Sequence, residues 1–379
     1  MTRQRLVNET ISASHLDLLK RALDRVKEKR ASVSMFERFG LSGAVLYRLT
    51  PPGAIPYVVK VDSVMKIERE YAAASGVRNK FDDLHVEKPV GPTREGQKAL
   101  LYRLISAQGG VGRVVELKHK YELALRPRVA EPDEHLSEVI TAIQRTYTKF
   151  SVAHVFTEKG DVRKFKDQYG GYVRLRNNST DRLSRLFESH EAPLVAYGMK
   201  FTNPRGMIER VLDVPLRPLW VGATHGDLHL SNVVFSSSGD PRLIDFAHAG
   251  CDQHLFKDFV MMESSLRFMM FPRHIHPGLL GPVDVALNEH WSCDVAGQIV
   301  AAAAPSEGAR ALAAMIACVR AVREACDRAL QGGPVLTEEA KKEEYFRCLS
   351  LLLLGLQQFD TYPLVRVAVN LHLLGTRYV

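Results

Sequence analysis

The feature that most limits how this chain can fold is a change of texture near Gln108-Gly109-Gly110. Before it, from Met35 to about Ser106, short β-branched and aromatic runs alternate with turn residues: Val45 to Leu49, Pro51-Pro52-Gly53, Tyr57 to Val61, and Ala99 to Ile105 behind Arg94-Glu95-Gly96. Such runs bounded by Gly and Pro are strands joined by tight turns, so this part reads as a small antiparallel sheet. One helix interrupts it around Val64 to Ala74, where Ile67, Tyr71 and Ala74 share a face with Glu68 and Glu70 beside them. After the glycines the spacing turns helical. Leu136, Val139, Ile140, Ile143 and Tyr147 make an i, i+3, i+4, i+7 stripe behind Pro132-Asp133, and further helices are expected at Asp181 to Ser189, Asp252 to Phe271, Glu307 to Leu330 and Thr337 to Leu356. The expected class is α+β, with residues 1–34 a helical extension, 35–108 a sheet lobe and 109–379 a mainly helical lobe.

A chain of 379 residues with 46% hydrophobic composition has enough apolar surface for two cores and is not disordered. Lys and Arg exceed Asp and Glu, 51 to 43, and the resulting charge of +8 suits a neutral or anionic ligand better than a polycation. It would also suit nucleic acid or an acidic surface, but the excess is modest for this length, and nucleic acid is not the expected partner. Five cysteines without a C-x-x-C pair fit neither a disulfide framework nor a zinc ribbon, so a reducing cytoplasm is the expected location. The N-terminal residues place Leu16, Leu19, Leu23 and Val26 at helical spacing among charges, unlike a signal peptide. The longest apolar runs, such as Leu349 to Leu356, fall far short of the roughly 20 residues that span a bilayer, so no membrane is expected.

The chemistry concentrates in Val221 to Phe246. An apolar lead-in reaches a polar loop; strands at Asn232 to Phe235 and Arg242 to Phe246 follow, joined by a turn at Ser236 to Pro241. A hairpin here brings Asp227, Asn232 and Asp245 side by side. All three offer oxygen, the donor a hard cation such as Mg²⁺ takes.

These residues resemble a family. His225-Gly226-Asp227-Leu228-His229-Leu230-Ser231-Asn232, followed after the hairpin by Ile244-Asp245-Phe246, is similar to the H-G-D-x-x-x-x-N and I-D-F/W signatures of aminoglycoside phosphotransferase and choline kinase-like enzymes, relatives of the protein kinases. Tyr57-Val58-Val59-Lys60 resembles their nucleotide-binding lysine strand. The resemblance implies a two-lobed protein kinase-like fold and a Mg²⁺-dependent phosphotransferase that uses ATP on an alcohol group. Asp227 would be the catalytic base, and Asn232 and Asp245 would hold Mg²⁺ on the ATP phosphates. Lys60, oriented by Glu70 with Glu68 as the runner-up partner, would neutralise the α- and β-phosphates. Phe39 to Ala44 lies where the family has its phosphate-covering loop, which makes the N–H groups of Ser42, Gly43 and Ala44 candidate donors, although the full G-x-G-x-x-G pattern is missing. The adenine is expected against Leu104 to Gln108. His225 is expected to pack under the loop and bond backbone, and Asp258 to brace the catalytic loop from behind.

Other readings compete. His225, Asp227 and His229 spell H-x-D-x-H, a zinc or di-metal pattern, but it leaves Asn232, Asp245 and Lys60 as coincidence. A nucleotide-binding pseudokinase acting as a sensor or scaffold is the stronger alternative. The stretch from Asp245 to Gly250, with Asp258-Phe259 and Glu263, also resembles a kinase-like domain of bacterial signalling and conflict systems. The segment Lys159 to Arg185 is rich in Lys and Arg, either a solvated surface or the rim for an anionic acceptor.

Overall fold

The computed structural model describes residues 11–28, 30–35, 44–52, 56–81, 85–103, 115–126, 132–150, 164–173, 182–188, 193–215, 221–235, 240–272, 275–331 and 337–379. The chain forms two compact units that are not continuous in sequence. One gathers Met1–Glu116, His225–Asp227 and Ser231–Cys251, and the other Leu117–Thr224, Leu228–Leu230 and Asp252–Val379. Asp227, Asn232 and Asp245 therefore cluster with the sheet, far from it in sequence though they are.

In the first unit, helix α1 (Ala13–Arg25) starts at Ser12, whose hydroxyl accepts the His15 N–H at 3.3 Å and so satisfies one orphan donor of the first turn. Strands β1 (Ser32–Met35), β2 (Val45–Thr50), β3 (Tyr57–Ser63), β4 (Val86–Val90) and β5 (Gln97–Arg103) form an antiparallel sheet in the order β1-β2-β3-β5-β4. Side chains alternate across a strand. Tyr57, Val59 and Val61 of β3 and Ala99 and Leu101 of β5 pack in one core with Leu18, Leu19 and Ala22 of α1. Each leucine so buried is worth about 1.5–3 kcal/mol. The helix expected as an extension is thus part of the sheet's core.

The opposite parity, Val58 and Lys60 of β3 with Leu100 and Tyr102 of β5, falls on the other face, where the register pairs Val58 with Tyr102 and Lys60 with Leu100. Helix α2 (Val64–Val77) follows β3 without a break and buries Ile67, Glu70, Ala74 and Val77, a single stripe at helical spacing. A smaller antiparallel patch pairs Pro241–Leu243 with Val233–Phe235 and that strand with β6 (Val115–Glu116).

The second unit is mainly helical: α3 (Leu117–Ala124), α4 (Pro132–Phe150), α5 (Phe165–Val173), α6 (Arg182–Glu188), α7 (Arg205–Glu209), α8 (Phe256–Ser264), α9 (Pro277–Glu289), α10 (Asp294–Ala302), α11 (Glu307–Leu330), α12 (Glu338–Leu356) and α13 (Leu364–Tyr378). The Leu-rich end of α12 packs against α5, α8 and α13. At its centre lies an ionic cluster. Glu263 of α8 accepts from Arg267 (2.9 Å), Arg323 (2.7 Å) and Tyr345 (2.8 Å), and Asp284 accepts from Arg366 at 2.8 Å. Arg323 also donates to the Leu287 and His290 carbonyls, both at 2.8 Å, so the buried guanidinium is satisfied on several sides.

A helix was expected from Asp252 to Phe271, and the structure corrects both ends. Gly250–His254 is a strand, held extended by Gln253, which accepts from the Thr224 hydroxyl at 3.0 Å, and by the His254 N–H, which donates to Gln168 at 3.1 Å. Beyond Ser264 the α-helix widens into a π-turn over Ser265–Met269. Among the described residues no helix is long and apolar enough to cross a membrane.

Candidate active site

Lys60 sits on the central strand with its side chain 5% exposed, and its ammonium lies 2.7 Å from Glu70 Oε2 and 2.6 Å from Asp245 Oδ2. Burial pulls the ammonium down, but the Asp245 and Glu70 carboxylates more than reverse this and hold it above the usual lysine range. Glu70, 1% exposed, is raised to about 7, first by burial and then by the Asp245 charge, with Lys60 opposing. The buried stripe of α2 decides between the two glutamates. Glu70 is on it, while Glu68 turns outward to pair with Lys98.

Tyr102, which the sequence did not single out, completes the arrangement. Its hydroxyl donates to Glu70 Oε1 and accepts the Phe246 N–H at 3.3 Å. Only knowledge of the β3–β5 register puts Tyr102 on Lys60's face, and the sequence does not state a register. Phe246, buried, contacts the rings of Phe81 (5.7 Å), Tyr102 (6.3 Å) and His225 (4.5 Å).

The loop of Asp227 is built from its own backbone. Gly226 takes φ 79°, a conformation that favours glycine. The fully buried His225 accepts the Asp227 N–H on Nδ1 at 3.4 Å, which assigns the proton to Nε2, and Nε2 donates to the Ile244 carbonyl at 2.9 Å. With both nitrogens committed, His225 is no metal ligand, and the H-x-D-x-H reading loses its first member. Asn232 donates through Nδ2 to the Asp227 carbonyl at 2.8 Å, and the Asn232 carbonyl accepts the Ile244 N–H at 3.1 Å.

Asp245 was expected at a strand end; the strand stops at Leu243, and Asp245 stands two residues on at φ 66°. Its side chain is 26% exposed. Likewise Asn232 closes a 3₁₀ turn and the strand begins at Val233, because its side chain is spent on holding the loop. The oxygen chemistry fits a hard divalent cation. The bond from Nδ2 fixes the Asn232 amide so that Oδ1 remains as donor, and Asp245 adds a partly exposed carboxylate. Among the described residues no group of three or more His, Cys, Asp or Glu could hold a metal ion.

The remaining expectations divide. Ala44 is buried immediately before β2, while Ser42, Gly43 and the Leu104 to Gln108 stretch lie outside the described residues. Asp258 is buried in α8 of the helical unit. Of the basic segment, Lys164 and Lys166 are about half exposed with Asp213 3.9 Å from each, whereas Arg182 is turned to the Gln357 and Phe359 carbonyls. Lys159, Arg163, Arg174 and Arg176 lie outside the described residues.

The chain matches the family model described as ternary complex associated domain 9 over residues 128–353. No curated protein matches it. Among solved structures it is similar to an aminoglycoside-3'-phosphotransferase of type VIII, at 18% identity and TM-score 0.44, covering 90% of this chain and 100% of that one. It is also similar to the amicoumacin kinase hAmiN in complex with AMP-PNP, Ca²⁺ and Ami (13%, TM-score 0.46, 95% and 93%) and to the choline kinase LicA from Streptococcus pneumoniae (14%, TM-score 0.41, 94% and 99%). Likenesses of this extent carry no functional argument, which rests on the residues of the site.

Proposed function

This chain belongs to the ternary complex associated domain 9 family, and we propose that it is a Mg²⁺-dependent ATP phosphotransferase of protein kinase-like fold. The observation that carries the reading is one buried ammonium, Lys60, held between Glu70 and Asp245. Desolvating Lys60 and Glu70 costs several kcal/mol that apolar side chains would not, and unlike the arginines of the helical unit's ionic cluster Lys60 faces a partly exposed carboxylate, Asp245, so its charge lies next to a position that a ligand can reach. Here the cation is presented at a fixed point on a central strand, where it meets the negative charge of a triphosphate.

In this reading Lys60 binds the α- and β-phosphates, and Glu70 keeps its side chain aimed. Asn232 Oδ1 and the Asp245 carboxylate would hold Mg²⁺, which when bound neutralises charge on the phosphate oxygens. Asp227 orients the acceptor hydroxyl and takes its proton as the oxygen attacks the γ-phosphorus and the bond to the β–γ bridging oxygen breaks. Asp227 is half-buried on a loop fixed by Gly226, His225 and Asn232, so little reorganisation is needed when the acceptor arrives. The backbone N–H groups of Ser42, Gly43 and Ala44 are proposed to cover the phosphates. The acceptor is proposed to be neutral or anionic, in keeping with the +8 charge and the half-exposed Lys164 and Lys166. The free thiols of all five cysteines fit a reducing, ATP-rich cytoplasm.

The test is phosphate transfer from labelled ATP onto a cell extract, wild type beside Asp227→Ala, with nucleotide binding followed by calorimetry. Transfer lost in Asp227→Ala with binding retained, and binding weakened by EDTA and by Asp245→Ala, is the expected pattern. Affinity indifferent to both EDTA and Asp245→Ala refutes the metal assignment. Binding without transfer by the wild type would instead make this a regulatory nucleotide-binding module.

A further inference from the structure

We infer that Tyr102 is a positioning residue that couples the partner of the nucleotide lysine to the metal-side aspartate through a single phenol hydroxyl; the inference rests on the phosphotransferase reading. A phenol has one proton to donate and lone pairs to accept with. Tyr102 uses the proton on Glu70 Oε1 and a lone pair on the Phe246 N–H, 3.3 Å away, with the residue itself 2% exposed. Glu70 Oε2 meets Lys60 at 2.7 Å and Lys60 meets Asp245 at 2.6 Å, and Asp245 precedes Phe246 in the chain. The contacts therefore close a ring, Tyr102 to Glu70 to Lys60 to Asp245 to Phe246 and back to Tyr102.

The ring matters because Asp245 is in the left-handed region at φ 66°, which side-chain-bearing residues adopt at a cost, aspartate less than most, and which the surrounding contacts hold in place. It is held from both sides. Before it, the Ile244 carbonyl accepts from His225 and the Ile244 N–H donates to the Asn232 carbonyl. After it, the Phe246 N–H donates to Tyr102. Tyr102 thus holds the amide that follows Asp245, beside the Ala249 N–H that donates to the Phe246 carbonyl at 3.0 Å, and the same hydroxyl holds Glu70 Oε1 while Lys60 holds Oε2. Losing the hydroxyl frees two groups at once, one on the lysine side and one on the metal side, while the ring can stay stacked on Phe246.

Tyr47 supplies the control. It is another buried sheet tyrosine, but its hydroxyl pairs with His15 Nδ1 at 2.6 Å and it packs in the core under α1. The experiment measures the affinity of the full chain for ATP with Mg²⁺ and with EDTA, for wild type, Tyr102→Phe and Tyr47→Phe. The expected result is that Tyr102→Phe weakens Mg-ATP binding about tenfold and shrinks the gain that Mg²⁺ brings, whereas Tyr47→Phe lowers thermal stability and leaves both unchanged. A wild type that binds no Mg-ATP overturns the phosphotransferase reading and this inference with it. Binding by wild type with Tyr102→Phe unchanged, or with Tyr47→Phe equally weakened, overturns this inference alone. On the wild type itself, the Phe246 amide should be protected from hydrogen exchange, and an unprotected amide removes the contact on which the coupling depends.

Discussion

Replacing Lys60 by Met takes the cation from between Glu70 and Asp245 and leaves the desolvation of Glu70 in place. In the wild type Glu70 is raised to about 7, and its ordinary value is 4.5. A carboxyl whose folded value exceeds its unfolded one binds more protons when folded, so it stabilises at low pH and loses that contribution as pH rises from about 4.5 to about 7, then levels off. Without Lys60 the opposing attraction is gone and the folded value moves higher still. The variant's loss therefore continues above pH 7 where the wild type's has stopped, at about 1.4 kcal/mol per pH unit. The Lys60–Asp245 pair adds a loss that does not vary over this range, because Lys60 is charged throughout it. Hydrogen exchange of peptides covering β3 and β5, read at matched pH, should show a ratio of variant to wild-type rates that is constant near pH 5. It should grow above pH 7, by up to about tenfold per unit, until the raised carboxyl of the variant has itself ionised. A ratio that stays flat from pH 5 to pH 9 refutes the placement of Glu70 as the buried, proton-linked partner.

Two further outcomes concern the helical unit. Glu263 is held at about 2 because, against the upward push of burial, Arg323 and Arg267 stabilise its charge; its contribution is present above about 4.5 and is lost as pH falls toward 2. Glu263→Gln should cost about 3 kcal/mol or more at pH 7 and flatten the acid limb of stability, measured by urea unfolding between pH 3 and pH 7. Gly355→Ala should destabilise despite alanine's advantage in a helix of about 1 kcal/mol, because the added Cβ would lie 2.4 Å from the Tyr172 carbonyl oxygen; a rise in thermal midpoint would show that α5 can give way.

Where local pattern and tertiary position agree, the sequence was readable. The α2 stripe shows this in part: Ile67 and Ala74 are on the buried face as expected, but Tyr71, expected with them, is half-buried, and the face turns toward Glu70, three residues from one and four from the other. The small antiparallel sheet followed by helices was readable for the same reason, since turn chemistry and periodicity are local. The strand at Gly250–His254 was not, because polar residues with no alternation form it and partners distant in sequence, Gln168 and Thr224, hold it extended. Nor was the packing of α1 against the sheet: an amphipathic helix declares a buried face but not what covers it.

The site divides along the same line. Asp227, Asn232 and Asp245 are legible as residue types at a spacing, whereas the conformation of Asp245 is a property of contacts from three residues in two other segments. His225 fixes the carbonyl before it, Asn232 the amide before it, and Tyr102 the amide after it. No periodicity encodes a left-handed aspartate, and Asp is only one of a few residue types that tolerate that region at all. The strain is local and its compensation is not, which is why the chain could nominate Asp245 as a candidate but could not state its conformation. It follows that substitutions at Tyr102 or His225, neither of which contacts the Asp245 carboxylate, act on Asp245 through the backbone, Tyr102 also through Glu70. Their effects should be less than additive with those of Asp245→Ala, since once the carboxylate is gone its aim no longer matters.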